Sequence, residues 1–285
     1  MSVLYLPRYV YQLSKKSLKG RHIKCIVSDL AGTLGDSLCN APKDALMDTF
    51  KNFDIQLTNE EVRQPTGRDK YSHIKAILAQ ETVIKKWSDE HKRFPNEEDI
   101  RTIFSKYQIH QVDLLANNKE YTKLLPWTFQ TLKYLKNQYK LKYGITTGYE
   151  ARMTSQVLES FREQGFTPDC HFSSDEIEHP RPFIDGIMAN LNSLGFSPYD
   201  TIKLGDTPID DEEGNNANCV TVLLAEHSNE MGNQLEKFNP EKIDQGAYIE
   251  ALYKTRKILE QSGADYVINN ITELEDVIKD IHSQS

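Results

Sequence analysis

The sequence predicts an α/β fold, with a parallel sheet core, helices on both faces and an inserted helical cap domain. Three observations carry that expectation. Short apolar runs recur at residues 23–27, 141–145, 201–204, 219–224 and 266–268, and each leads into a polar or glycine-containing segment. Helix-patterned stretches alternate with these runs, which implies parallel strands in a Rossmann-like arrangement. Between the first run and the second, residues 42–121 hold no evident strand.

The first run reads as a buried parallel strand, and Asp29 stands where it would end. Chemistry in an open α/β sheet collects at the carboxyl ends of strands. A carboxylate there, close to Gly32 with its freedom to turn, is placed to attack a ligand. An isolated Asp after a strand also serves as a helix N-cap, so this reading depends on the stretches downstream. Pro42 falls near the first turn of a helix running to residue 53. Residues 72–79, 81–94 and 97–115 read as helices, interrupted at Pro95. Such a block after the first strand suggests a cap that excludes water and supplies specificity. The expected division is an N-terminal extension at 1–21, a core at 22–41 and 122–285, and a cap at 42–121.

The α/β pattern resumes with a helix at 127–139 and a strand at 141–145 that runs into Thr146, Thr147, Gly148 and Tyr149. A helix at 151–164 follows, then a short segment ending at Phe172. A helix at 183–194 stops at Gly195. The strand at 201–204 feeds Gly205 and Asp206. After the strand at 219–224 come a helix at 240–262, the strand at 266–268 and a closing helix.

The chain has 285 residues, enough to bury a full core, and a formal net charge of −8. Its pI of about 5.6 argues against general nucleic-acid or membrane-surface binding. No stretch approaches the length of a membrane span. Cys25, Cys39, Cys170 and Cys219 show no paired metal spacing, and reduced thiols in a cytoplasmic protein are the simplest reading. The first twenty residues are basic and lack acidic ones. A transit peptide or amphipathic anchor would share that composition, but Pro7 breaks any long helix there. A short extension packed on the body or on a partner subunit is preferred.

Three further stretches join Asp29. In YGITTGY, the Thr146 hydroxyl can bond a phosphate oxygen while the Gly148 region offers backbone N–H groups. In EHPRPF, two prolines stiffen the backbone around Arg181, whose cation could neutralise a transferring phosphoryl group. In KLGDTPIDDEEG, Asp206 ends a strand and Asp210 follows across a turn. Close carboxylates of this kind suit Mg²⁺. Each stretch alone also reads blandly, as a strand-end turn, a surface arginine or a solvated acidic run.

Taken in order, DLAGT, ITTG, PRP and GDTPIDD resemble the four motifs of the haloacid dehalogenase superfamily, with a helical insert after the first. The resemblance covers nearly everything after residue 20. It implies that Asp29 is a nucleophile. Most of the superfamily carries a second Asp, the general acid and base, where this chain has Ala31. Within the superfamily the chain resembles the phosphonoacetaldehyde hydrolase family, whose first motif has alanine at that place. The segment from Pro65 to His73 matches its cap motif, and GADYVINNITELEDVI resembles its ending.

That resemblance implies hydrolysis of a P–C bond through a Lys70 imine and an aspartyl phosphate on Asp29. It implies substrate contacts from Gly67, Cys39, His73, Thr146, Thr147, Tyr149 and Arg181. It implies Mg²⁺ held by Asp29, the Ala31 carbonyl, Asp206 and Asp210. It also implies a small phosphonate substrate and a homodimer formed through the caps. Expelled carbon is a poor leaving group unless an iminium takes its electrons, so such chemistry needs an amine that is partly neutral. The rivals are a Mg²⁺-dependent capped phosphomonoesterase, which needs an acid at position 31, and a non-catalytic relative.

Overall fold

The computed structural model describes residues 10–238 and 243–284. Among the described residues five strands make one sheet: β1 (Cys25–Ser28), β2 (Lys142–Ile145), β3 (Thr201–Gly205), β4 (Val220–Leu224) and β5 (Tyr266–Ile268). Their order is β2-β1-β3-β4-β5, and every pairing is parallel. Alternate residues of a strand point to opposite faces, and both faces are covered. Ile26, Val222 and Ile268 join the largest apolar cluster. Cys25 and Val27 meet Ile187 and Leu191 on the other side, where Leu223 and Val267 also pack.

Between β1 and β2 the described residues form α1 (Asn40–Lys51), α2 (Asn59–Arg63), α3 (Lys70–Leu78), α4 (Glu81–His91), α5 (Glu97–Asn117) and α6 (Thr128–Tyr139). The first five compose the insert. Its apolar side chains, among them Ile74, Trp87, Ile103 and Tyr107, belong to the same cluster as Ile26 of the sheet. Each such side chain contributes about 1.5–3 kcal/mol by leaving water. The incoming and outgoing segments lie side by side, with Gly35 bridged to Leu124 and the Leu125 N–H donating to Leu34 at 2.8 Å. The incoming segment is strained. Asp36, Leu38 and Cys39 all have φ between 51° and 64°, a left-handed region that costs most side chains about 1 kcal/mol or more.

The remaining helices are α7 (Ala151–Glu163), α8 (Asp185–Leu194), α9 (Pro208–Asn216), α10 (Asn229–Leu235), α11 (Gln245–Leu259) and α12 (Leu274–Ser283). Three differences from the sequence reading have local causes. α2 is short but closed by a reciprocal cap between Thr58 and Glu61. The acidic stretch after Asp206 is helix α9, because Thr207 and Asp210 cap its start. Its Asp210, Asp211 and Glu213 are buried, so it is no solvated run. α10 begins at a Ser228 cap, in a stretch for which no element was expected. The expected helix at 240–262 is seen from Gln245, and residues 240–242 lie outside the described residues. So do residues 1–9 of the expected extension; its later part bonds Leu13 N–H to the Asp265 carbonyl at 2.8 Å. No helix among the described residues is long and apolar enough to cross a membrane.

Candidate active site

The carboxyl ends of β1, β2 and β3 converge beneath the start of α3. Asp29 follows β1, Thr146 and Thr147 follow β2, and Asp206 follows β3. The cavity between them and the insert measures only about 20 Å³. Asp29, Ala31, Cys39, Gly67, Lys70, Thr147, Tyr149, Arg181 and Asp206 line it, joined by Thr66. His73, Thr146 and Asp210 stand behind that wall rather than on it.

The sheet side is a network of charges. Arg181 Nη1 lies 3.1 Å from Asp29 Oδ2 and 2.6 Å from Asp210 Oδ1. Lys203 Nζ lies 3.1 Å from the same Asp210 oxygen and 2.8 Å from Glu213 Oε2. The Lys203 ammonium also donates to Thr146 Oγ1 at 2.7 Å. Thr146 departs from the expected role for that reason: Lys203 and Glu213 occupy its hydroxyl, whereas Thr147 reaches the cavity. Asp210 Oδ2 accepts from Thr207 Oγ1 at 2.7 Å and from the Thr207 N–H at 3.2 Å, which fixes the turn carrying Asp206.

Burial sets the electrostatics. At Asp210 burial opposes ionisation, yet Lys203 and Arg181 hold the carboxyl below its usual range. Burial pushes Asp29 up, against the pull of Arg181. Asp206 is driven well above the carboxylate range by burial and by the charges of Asp210 and Asp29. Among the described residues no cation pairs with Asp206. It accepts only from Thr33 Oγ1 at 3.0 Å, the Asn229 N–H at 2.8 Å and Cys39 Sγ at 3.5 Å.

The insert side is organised differently. Asp69 caps α3 by accepting from the Ser72 N–H at 2.9 Å, so Lys70 opens the helix. Lys70 is buried, and its Nζ lies 5.4 Å from the centre of the Tyr149 ring. Burial and then the Arg181 charge lower its pKa from an ordinary 10.5 to about 8. His73, on the same helix, is pushed down to about 3 by burial and by Lys70, so the imidazole is neutral. Its Nε2 lies 2.7 Å from the Val62 carbonyl and must be the donor, which leaves a buried Nδ1 without a partner. Burial likewise keeps the Tyr149 and Cys39 protons on. Gly67 carries the insert's loop against the core: its φ is +102°, and a Cβ there would lie 2.6 Å from Thr207 Oγ1.

Asp29, Asp206 and Asp210 each place an oxygen within 4.8 Å of the others, a group that could hold a metal ion. If these three and Glu213 all ionise, Arg181 and Lys203 leave two negative charges in excess. A divalent cation fits that excess, and the hard oxygen donors fit Mg²⁺. Lys203 and Glu213 were not foreseen. The signal for Lys203 was a lone charge within the apolar run IKLG; Glu213 was lost in the acidic run.

The sequence matches the haloacid dehalogenase-like hydrolase family over residues 26–224, and the chain belongs to that family. It is 32% identical over 267 residues to a phosphonoacetaldehyde hydrolase of Lactiplantibacillus plantarum, covering 91% of this chain and 97% of that one. It is also 32% identical to a bifunctional phosphonoacetaldehyde hydrolase/aminoethylphosphonate transaminase of Clostridioides difficile, covering 95% of this chain and 42% of the longer relative. A crystal structure of a phosphonoacetaldehyde hydrolase like protein from Oleispira antarctica superposes with a TM-score of 0.85 at 28% identity, over 98% of this chain and 97% of that one. Within the superfamily, then, the chain is a hydrolase of the phosphonoacetaldehyde hydrolase family.

Proposed function

We propose that the chain hydrolyses the carbon–phosphorus bond of phosphonoacetaldehyde, giving acetaldehyde and phosphate. The observation that carries this reading is one cavity with a carboxylate and a guanidinium on one wall and, on the other, a buried lysine that no carboxylate among the described residues pairs with and whose pKa is lowered to about 8. A phosphate ester would need the first wall alone.

In this mechanism Lys70 Nζ adds to the aldehyde carbon and water leaves, forming an iminium. Burial and the Arg181 charge favour the neutral amine, and the neutral His73 adds no opposing carboxylate. Arg181 and the Thr147 hydroxyl orient the phosphonate oxygens, and an Asp29 oxygen attacks phosphorus. The P–C bond breaks, and its electron pair moves into the enamine on Lys70. The enamine takes a proton at carbon, and water releases acetaldehyde and the free amine. A second water cleaves the aspartyl phosphate and restores Asp29. Asp29, the Ala31 carbonyl, Asp206 and Asp210 would hold Mg²⁺, which supplies positive charge against the repulsion between nucleophile and phosphonate. Ala31 is coherent with this chemistry, since no leaving oxygen requires a proton from that position.

A cavity of about 20 Å³ holds roughly one water, so substrate access requires movement of the insert. We assign residues 42–121 to that moving cap. Pairing of two chains through it, in the cytoplasm, belongs to the same reading. Comparing phosphate release from phosphonoacetaldehyde with release from phosphate esters tests the proposal. Borohydride added with the aldehyde should inactivate the enzyme, and peptide mass analysis should find the adduct on Lys70, not Lys75. Preferential ester hydrolysis with no adduct would support the capped phosphomonoesterase instead.

A further inference from the structure

Arg63 ends α2 in the insert and has no part in the chemistry above, yet it is among the largest fully buried side chains of the described residues, at 1% exposed. Its guanidinium reaches three separate parts of the molecule. It bonds the Leu38 carbonyl and, at 3.0 Å, Asn40 Oδ1, both at the strained segment that leads into the insert. It lies 3.0 Å from Glu236 Oε1, just after α10 of the core. It donates to Asn229 Oδ1 at 3.2 Å, while Asn229 Nδ2 donates back to the Arg63 carbonyl at 3.1 Å. The core makes room for this cation with a glycine. A Cβ on Gly232 would stand 2.6 Å from Arg63 Cζ and 2.8 Å from both terminal nitrogens.

Asn229 links the arrangement to the reacting centre. Its backbone N–H donates to Asp206 Oδ2 at 2.8 Å, on the carboxylate that lacks a cation. A groove of about 550 Å³ runs between α2 and α10, and Arg63, Asn229, Glu236 and Asp206 all line it. One planar fork therefore ties the insert to its hinge and to the loop that orients Asp206. Arginine suits this task because its donors are fixed relative to one another, unlike those of lysine.

We propose that Arg63 is a positioning residue: a latch that couples closure of the insert to the placement of Asp206 for metal binding. When the insert lifts, Arg63 leaves Glu236 and Asn229, the α10 start loses its tether, and Asp206 keeps Thr33 and Cys39 but loses the firm hold of its shortest hydrogen bond, from the Asn229 N–H. The active metal site is thus completed only beneath a closed cap. This inference rests on the Mg²⁺ reading of the acidic cluster.

The test measures Mg²⁺ binding by calorimetry without substrate, alongside kcat and KM, in the full-length wild type, Arg63→Lys, Arg63→Ala and Gly232→Ala. Gly232→Ala leaves the arginine in the chain but fills its seat, so the latch stays testable if Arg63→Ala does not fold. The dissociation constant for Mg²⁺ should rise about 10-fold or more in Gly232→Ala and Arg63→Ala, the range seen when the support of a metal ligand is removed, and less in Arg63→Lys. Saturating Mg²⁺ should restore part of kcat. Arg93→Ala, which removes an exposed ion pair with Asp99 in the insert, should change neither quantity. Folded latch variants that bind Mg²⁺ as the wild type does would overturn the latch and leave the proposed function standing. A wild type that binds no Mg²⁺ would overturn both.

Discussion

The two walls of the cavity bury charge equally deeply and treat it in opposite ways. On the sheet side, Asp29, Asp210, Glu213, Arg181 and Lys203 are paired at 2.6–3.1 Å, and the cations remain charged. On the insert side, no carboxylate among the described residues pairs with the Lys70 ammonium, and burial has lowered the pKa of both Lys70 and His73. A cation with partners keeps its proton firmly in the interior; one without them holds it less tightly. In the proposed mechanism the charged wall binds and attacks a phosphonate dianion, and the insert wall presents an amine of lowered pKa to a carbonyl.

The strongest way to break this comparison is to remove each wall's reacting group in turn. Asp29→Asn and Lys70→Arg should each lower kcat by about 10⁴-fold or more, as removal of a nucleophile does elsewhere. Their trapping behaviour should separate them. Asp29→Asn should still form an imine that borohydride reduces, because the insert wall is intact. Lys70→Arg should form none, since guanidinium stays protonated. An Asp29→Asn protein that resists trapping would show that the two walls do not act independently.

A smaller effect sharpens the charged wall. Arg181→Lys keeps the charge but loses the planar guanidinium, whose Nη1 reaches both Asp29 and Asp210, and kcat/KM should fall about 10²–10³-fold. An unchanged kcat/KM would remove Arg181 from the phosphonate. Glu213→Gln acts one step further back, through Lys203 and Thr146, and about 10-fold in kcat is expected. A titration with Mg²⁺ should show weaker binding in the same variant.

How much of this was legible beforehand differs between the walls. The sheet wall was largely readable, because an apolar run ending in Asp or Gly-Asp marks a strand end wherever it falls. What escaped was the charge network behind it. Lys203 interrupts an apolar strand, and only the register of the sheet shows that it points at Glu213 and Asp210. The acidic run beyond Asp210 looked solvated because its pattern carries no sign of which carboxylates turn inward. On the insert side, Lys70 and His73 came from the motif they share with a family. Their lowered pKa values depend on burial by distant segments, which no local spacing reveals. The Thr58-x-x-Glu61 cap that starts α2, and so places Arg63, was present in the sequence but too short to stand out among longer helices.

The smallest effect concerns stability rather than rate, and it probes the insert wall alone. In the unfolded chain Lys70 holds its proton up to pH 10.5; in the folded chain it holds it only up to about 8. Between those values the unfolded state binds more protons, so stability rises with pH across the window and is lost as pH falls through it. Below pH 8 both states are protonated, and the folded state bears the whole cost of a buried, unpaired ammonium. That cost is roughly 3 kcal/mol if the entire shift comes from burial. Lys70→Met should therefore abolish imine formation and yet stabilise the protein at pH 7 by about 1–3 kcal/mol, after some loss of contact with Tyr149. The gain should shrink as pH approaches 10.5. The wild-type activity should fall on the acid side near pH 8, as the same amine takes its proton. Thermal unfolding of wild type and variant from pH 6 to pH 10 reads the first expectation, and a kcat/KM profile reads the second. A variant that is less stable than the wild type at pH 7 would mean that Lys70 has a partner when folded, and the contrast between the walls would fail.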